Sequence, residues 1–293
     1  MRVVIIPAFI LLLIVGCSQN TGEIVYSGLF EATEINLSSP ESGKLVSFPY
    51  EEGDILNSGQ VVGQLDKDRF EIEKSGYMIS IQELDVQKIQ SEAMVSLTKV
   101  TLEGAEREYN RLKNLYAKKS ATEQQLDNAK TARDQASAQL KANEAALKIL
   151  KYKKELFEKN IQLVEKRITD CTIISPINGT MIKKYFEETE VVPGGAPIGK
   201  IADLTTMKLM IYIAQEDLGR IKIGDKLPIR VDSYPEKRSN GSVAWISDKS
   251  EFTPKNVQTR EARSEMVFAV KLLVENTDNI FKIGMPAEVL WKN

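Results

Sequence analysis

The chain has 293 residues, enough for two or three domains or for one domain and an extended element. Its 39 basic and 41 acidic residues are well mixed and give a formal net charge of −2, so no basic surface for nucleic acid is expected. Histidine is absent and cysteine occurs only at Cys17 and Cys171, which excludes histidine catalysis, histidine or cysteine-cluster metal sites and a disulfide framework.

The N-terminus has the pattern of a secretion signal. Arg2 is followed by an apolar run, residues 3–15, that is too short to span a bilayer, for which a helix needs about 20 residues. The sequence IVGC, ending at Cys17, resembles a bacterial lipobox. The resemblance implies removal of residues 1–16, acylation of Cys17, and membrane anchoring through a tether of residues 17–25. A plain signal peptide with an incidental cysteine is the alternative.

The middle of the chain, residues 67–170, is predicted to be helical. It contains no proline and is rich in Ala, Glu, Lys, Leu and Gln. Apolar residues recur at spacings of three and four from Ile81 to Tyr116, and more regularly from Leu126 to Ile168. Two long helices are therefore expected.

A short break separates these helices. Lys118 and Lys119 suit a helix C-terminus, and Thr122 with Gln125 fits a capping box that begins the second helix. So short a break predicts an antiparallel hairpin with its tip near residues 117–122 and arms of roughly 70 to 75 Å. Such a hairpin could be a rigid spacer with a solvated charged face, or its tip could contact a partner.

A repeat flanks the helical region. Residues 39–66 and 175–202 align without gaps at a constant offset of 136, with matching Ser-Pro, Glu-Glu and glycine positions. Each copy indicates three or four short strands, and one copy is too small to fold alone. We therefore expect residues 37–66 and 171–204 to close into one small barrel around a pseudo-twofold axis.

Each copy resembles half of a biotinyl/lipoyl domain, most clearly from Ser42 to Asp66. In a carrier domain of that family, a tight hairpin between the halves bears the modified lysine. Here Lys67 stands at the junction, but a helix begins there, which disfavours a swinging-arm carrier. The last segment, residues 205–293, has short β-like runs, and with residues 26–36 it is predicted to form a small β-barrel.

A split lipoyl-like fold with an inserted α-hairpin, after a secretion signal, resembles the HlyD-type periplasmic adaptors, or membrane fusion proteins. The resemblance implies an elongated α+β architecture: a barrel-sandwich hybrid, a coiled-coil hairpin and a β-barrel. It implies a non-enzymatic, cofactor-free protein that links an inner-membrane transporter to a TolC-like outer-membrane channel for efflux or secretion. It also implies a homo-oligomer, commonly a hexameric ring, on the periplasmic side of the envelope, with the inner membrane favoured for the anchor.

The resemblance extends to the hairpin tip. Adaptors that dock on TolC-type channels carry an arginine, a leucine four residues later and a serine seven residues after that. Arg111, Leu115 and Thr122 stand at those spacings. The leucine would insert between channel helices while the guanidinium and hydroxyl form hydrogen bonds. The alternative is a solvated arginine, a leucine of the hairpin core and a helix-capping threonine.

The partner transporter is suggested by two features. Residues 251–263 resemble a loop of adaptors that serve ABC transporters, and no membrane-proximal domain follows residues 284–293. Both favour an ABC permease, with an RND pump as the alternative. A coiled-coil lipoprotein with a purely structural role in the envelope remains a third reading of the chain.

Overall fold

The computed structural model describes residues 23–252 and 266–292. Two compact units are formed: a hairpin unit, residues 35–201, and a barrel unit made from the described parts of 1–34 and 202–293. Within the described residues, no helix combines the length and apolar character that crossing a membrane requires. The elements in chain order are β1 (Glu23–Ser38), β2 (Gly43–Ser47), β3 (Ile55–Leu56), β4 (Val61–Leu65), α1 (Asp68–Ala117), α2 (Glu123–Asp170), β5 (Thr172–Ile174), β6 (Gly179–Lys184), β7 (Val191–Val192), β8 (Pro197–Ala214), α3 (Gln215–Leu218), β9 (Lys226–Arg230), β10 (Ser239–Phe252), β11 (Met266–Glu275) and β12 (Pro286–Lys292).

The β-part of the hairpin unit joins the two repeats strand by strand. Antiparallel pairs form between β2 and β7 and between β3 and β6, and each of these takes one strand from each repeat. A third pair joins β4 of the first repeat to β5, the strand immediately before the second repeat. Neither repeat could satisfy its backbone hydrogen bonds alone, so the two copies make one domain. The predicted α+β class, with a helical hairpin inserted into a β-domain, is confirmed.

Hydrogen bonds between the repeats occur in equivalent pairs. The Gly59 N–H donates to the Ser175 carbonyl at 2.8 Å, and the Gly195 N–H donates to the Ser39 carbonyl at 2.7 Å. Both bonds join the same two positions of the repeat, 136 residues apart, with the donor and acceptor copies exchanged. This reciprocity is what a pseudo-twofold axis requires, so the gap-free alignment is correct in three dimensions.

Two glutamates extend the same symmetry to side chains. The Phe48 N–H donates to Glu188 Oε1 at 2.7 Å, and the equivalent Lys184 N–H donates to Glu52 Oε1 at 3.2 Å. The second glutamate of each Glu-Glu pair, Glu52 or Glu188, therefore has a structural role, because it accepts a hydrogen bond from a backbone N–H of the opposite repeat.

One apolar core fills the β-part of the hairpin unit, and the helices contribute to it. Phe70 from the first turn of α1 and Val164 from the end of α2 are both buried there. The other buried members are Leu37, Leu45, Phe48, Leu56, Val62, Leu65, Cys171, Ile173, Met181, Val192, Ile198 and Ile201. The base of the hairpin is therefore packed into the β-domain and is not joined to it by a free linker.

The two arms of the hairpin contact each other along their length. Lys74 forms an ion pair with Glu165 at 2.8 Å, and Lys154 pairs with Asp85 at 2.7 Å. Nearer the tip, the Arg133 guanidinium lies 4.3 Å from the centre of the Tyr109 ring. At 1.5 Å per residue, the 50-residue α1 is about 75 Å long.

The barrel unit is a closed sheet. Its strands follow the order β1-β12-β9-β10-β11-β8, and pairing of β1 with β8 completes the ring. Inward-facing side chains alternate with outward-facing ones along the second half of β11, where Val270, Leu272 and Val274 are buried and Leu273 is exposed. Phe30 stacks on Phe281 within this core at 4.5 Å between ring centres. The predicted β-barrel is therefore present.

Gly28 in β1 has no room for a side chain. A Cβ there would overlap the Met210 carbonyl oxygen and would lie 2.8 Å from Ile211 Cγ2. We expect Gly28→Ala to destabilise the barrel unit by about 1–3 kcal/mol or more, because a backbone atom cannot move aside. Chemical denaturation followed by tryptophan fluorescence measures this, since Trp245 and Trp291 both lie in the barrel unit.

Gly76 in α1 is the matched control for that substitution. Apart from its chain neighbours and the backbone of its own helix, no atom lies within 4 Å of a Cβ placed there, so Gly76→Ala should stabilise α1 by about 0.5–1 kcal/mol. It should leave the tryptophan transition unchanged. If the Gly28→Ala protein kept the parental midpoint of the tryptophan transition, the prediction would be wrong, and β1 and β8 would have to separate at Gly28 at little cost.

Candidate functional site

The end of α1 is closed by a backbone motif. The Lys119 N–H donates to the Tyr116 carbonyl and the Ser120 N–H donates to the Leu115 carbonyl, both at 2.8 Å. This pair of bonds is a Schellman motif, and it places Lys119 at a φ of 55°, in the left-handed region that usually takes glycine. The chain therefore leaves α1 abruptly, which makes the tip a compact loop of residues 118–122.

The start of α2 is closed by side chains. The Thr122 hydroxyl oxygen accepts from the Gln125 N–H at 3.2 Å, and Gln125 Oε1 accepts from the Thr122 N–H at 2.8 Å. The capping box predicted from the sequence is confirmed. Because the Thr122 oxygen acts as an acceptor here, its hydroxyl proton can still be donated to a partner.

Arg111 is exposed and held by a neighbour on its own helix. Its Nε and one terminal nitrogen donate to the Glu108 carboxylate at 2.9 and 2.6 Å, while two-thirds of the arginine side chain faces solvent. The hydrogen bond from Arg111 holds the pKa of Glu108 below its ordinary value, and the same bond raises the pKa of Arg111. The guanidinium is thus oriented but keeps further N–H donors for a partner.

Leu115 lies four residues after Arg111, so the two residues share a face of α1. Leu115 is half-buried, whereas Arg111 and Thr122 are exposed. Among the described residues, no hydrogen bond or ion pair joins any of the three to another. Of the three predicted docking residues, Arg111 and Leu115 therefore lie on the last two turns of α1, and Thr122 caps the start of α2.

The tip presents side chains of three chemical kinds. It offers an apolar side chain, a guanidinium and a hydroxyl, beside helix ends that are closed by a backbone motif in α1 and by a side-chain capping box in α2. Over residues 23–252 and 266–292, no group of three or more acidic or cysteine side chains could hold a metal ion.

Two contacts at the tip were not predicted from the sequence. Glu108 precedes Arg111 by three residues, a helical spacing at which opposite charges meet, so this pair could have been found. The contact of Arg133 with Tyr109 joins the two arms, and finding it requires the register of one arm against the other. Both contacts limit the freedom of side chains beside the predicted docking residues.

The remaining candidate residues have different surroundings. Lys67 precedes α1 and lies 3.7 Å from Glu71, and it is not in a tight turn between two strands, where a carrier lysine would stand. Cys171 is buried, and burial raises the pKa of its thiol, so it is poorly reactive. Cys17, the predicted lipid attachment site, lies outside the described residues.

Comparison with known proteins defines a class for the hairpin. Residues 75–171 match the YBHG alpha-helical hairpin domain. A UPF0194 membrane protein of Enterobacter sp. (strain 638) is 27% identical over 98% of this chain and 96% of its own length. The UPF0194 membrane protein YbhG of Salmonella arizonae is 26% identical over 92% of this chain and 89% of its own.

The fold is similar to that of a solved structure, MacA from Actinobacillus actinomycetemcomitans. The TM-score is 0.58 at 19% identity, and the match covers 92% of this chain and 78% of that one. The resemblance predicted from the sequence is therefore confirmed at the level of the fold: the chain has a YBHG-type hairpin domain within a MacA-like fold.

Proposed function

We propose that this protein is a non-enzymatic periplasmic adaptor that links an inner-membrane transporter to a TolC-like outer-membrane channel. The observation that carries the proposal is the hairpin tip, where Arg111, Leu115 and Thr122 are presented by two rigidly closed helix ends. The arms behind it, 50 and 48 residues long, are seated in a lipoyl-like domain. Relatives named as membrane proteins and the MacA-like fold support a role in the cell envelope and in efflux.

The proposal also covers the class of transporter, the membrane anchor and the oligomeric state. An ABC permease is favoured as the inner-membrane partner, with an RND pump as the alternative; the loop on which this rests, residues 251–263, lies mostly outside the described residues. Acylated Cys17 would hold the mature chain on a membrane, with the inner membrane favoured. The protein would work as a homo-oligomeric ring, commonly of six copies.

Substitution of the tip residues tests the docking role. Arg111→Asp would place a carboxylate beside Glu108 and reverse the charge offered to the channel, and Leu115→Ser would remove the apolar contact. We expect each variant to reduce co-purification of the outer-membrane channel with the full-length protein by at least about tenfold, because loss of one central contact commonly costs 2 kcal/mol or more.

A matched control separates docking from general effects of charge. Arg107→Asp makes the same charge reversal one turn nearer the base, and it should leave co-purification of the channel intact. The helical circular dichroism and expression level of all three variants should equal those of the parent. Undiminished channel binding by both tip variants would contradict the docking role and favour a structural envelope lipoprotein.

A further inference from the structure

A groove between the two arms of the hairpin lies nearer the base than the tip. Its volume is about 560 Å³, within the range of roughly 300–1,000 Å³ that is usual for small-molecule sites. The first helix contributes residues 84, 85 and 88 to its lining, and the second contributes residues between 144 and 154. Four lysines are among them, and we therefore call it the lysine groove: Lys88, Lys148, Lys151 and Lys154.

The lysine groove forms where the apolar seam of α1 is interrupted. Leu84 is buried, but the next positions of the three- and four-residue spacing hold Lys88 and Ser91. On the register of the ion pairs between the arms, these two residues stand beside Leu150 and Leu147 of α2. Both of these leucines are only half-buried. An exposed lysine and a small serine do not fill the space next to them, so a gap is left between the arms.

Such a gap is unfavourable for a helical pair that serves only as a spacer. It forfeits dispersion contacts and leaves apolar surface in water, whereas an apolar side chain in place of Lys88 would restore both. Departures from good local packing are commonly kept in proteins where a functional site needs them. The gap is therefore a candidate binding site.

Two of the four lysines in the groove have acidic partners. The Lys154 ammonium donates to both carboxylate oxygens of Asp85, at 2.7 and 3.0 Å, which neutralises the end of the groove nearer the base. Lys88 lies 3.5 Å from Glu92, and about half of each of these two side chains faces solvent. An exposed pair of this kind is weak, so Lys88 can turn to another anion at little cost.

The other two lysines have no acidic partner. In the part of the chain that the structure describes, neither Lys148 nor Lys151 forms an ion pair, and the Lys148 ammonium lies 5.8 Å from the centre of the Tyr152 ring. Lys151 stands at the height of Lys88 on the opposite arm, so both sides of the groove carry positive charge there. Glu144 lines the end nearer the tip and disfavours an anion at that end.

We propose that the lysine groove binds a small anionic amphiphile. Its apolar chain would pack on Leu84, Leu147 and Leu150, and its negative headgroup would lie between Lys88 and Lys151. A neutral apolar molecule would cover the ammonium groups without pairing them, and an inorganic anion would leave the leucines in water. One chain with a carboxylate, sulfate or phosphate headgroup satisfies both parts of the groove.

Fluorescence titration with a dansyl-labelled undecanoate tests the site. The mature chain, residues 17–293 with Cys17→Ser to prevent acylation, retains every described residue and needs no detergent, which would compete for the groove. We expect saturable binding that decanoate displaces and decanol, with the same chain length and no charge, does not. Decanoate and lysophosphatidylglycerol, competed separately, distinguish a free carboxylate from a membrane-derived phosphate, and displacement by either supports the site.

Lys88→Leu should have opposite effects on binding and on stability. The leucine fills the seam, so the midpoint of the helical transition in denaturant should rise, while the affinity for the dansyl probe should fall at least about tenfold. Loss of binding in a more stable protein cannot be ascribed to misfolding. The matched control is Lys153→Leu, which removes the same charge at an exposed position outside the lining. It should leave the affinity for the probe unchanged.

Lys151→Gln separates the charge of the groove from its volume. It removes a cation without filling the gap, so the affinity should fall while the helical transition stays where it is. Unchanged probe binding by Lys88→Leu, equal loss in Lys153→Leu, or displacement by decanol as effective as by decanoate would each overturn the proposal. None of these measurements involves the channel, whose binding the Arg111 and Leu115 variants test separately.

Discussion

Shortening both arms of the hairpin by two heptads is expected to abolish channel binding while the fold survives. Removing residues 91–104 and 135–148 takes 14 residues from each arm at matching heights. It retains the Lys154–Asp85 pair, the Arg133–Tyr109 contact and the whole tip loop. The tip would lie about 21 Å closer to the β-domain, since each helical residue contributes 1.5 Å. An adaptor that spans a fixed gap cannot tolerate such a loss.

The assay is co-purification of the outer-membrane channel with the full-length protein. The control restores the length with 28 unrelated residues of the same heptad pattern, 14 in each arm, and channel binding should return. Circular dichroism should show a stable helical protein in both cases. If the shortened protein bound the channel as well as the parent, the hairpin would not act as a spacer of defined length.

The second large effect is expected at Phe70, which fastens α1 to the β-domain. Its ring is almost fully buried between two cations, with Arg69 at 4.4 Å and Arg167 at 4.3 Å from the ring centre. Arg167 also donates to Glu41 of the β-domain at 2.9 Å, and this hydrogen bond raises its pKa. Phe70→Ala should therefore destabilise the hairpin unit by about 3–5 kcal/mol, through the lost burial and the cavity left behind.

Chemical denaturation followed by helical circular dichroism measures the effect of Phe70→Ala. Phe70→Leu should cost distinctly less because it keeps most of the apolar volume. The barrel unit contains both tryptophans, so its fluorescence midpoint should not move. A Phe70→Ala protein with an unchanged helical transition would mean that the hairpin is stable independently of its seat in the β-domain.

The parts of the fold that could be predicted are those that a repeated segment or a short local motif of the sequence determines. Gly59 and Gly195 occupy equivalent places in the two repeats, so their offset alone indicated a shared domain, and the reciprocal bonds to Ser175 and Ser39 confirm it. The helix break before Thr122 was predictable because capping is local: the threonine and Gln125 are three residues apart.

Contacts between distant residues could not be predicted in the same way. Phe70 and Arg167 are separated by the entire hairpin, and nothing in the local pattern indicates that they meet. The inner and outer faces of α1 could not be distinguished from the sequence for a different reason. A line of residues at seven-residue spacing also fits an inner seam, and only the observed burial of Leu84 beside exposed Val86 separates the two faces of α1.

Photo-cross-linking in cells is a direct test of whether the hairpin tip binds an outer-membrane channel. A photoreactive amino acid replaces Ala121, in the loop between Lys119 and Thr122, in the full-length protein within intact cells. We expect a cross-linked product that contains a TolC-like outer-membrane channel and that disappears when Leu115→Ser is added. Cross-links only to other copies of this protein or to other envelope components, with none to a channel, would contradict it.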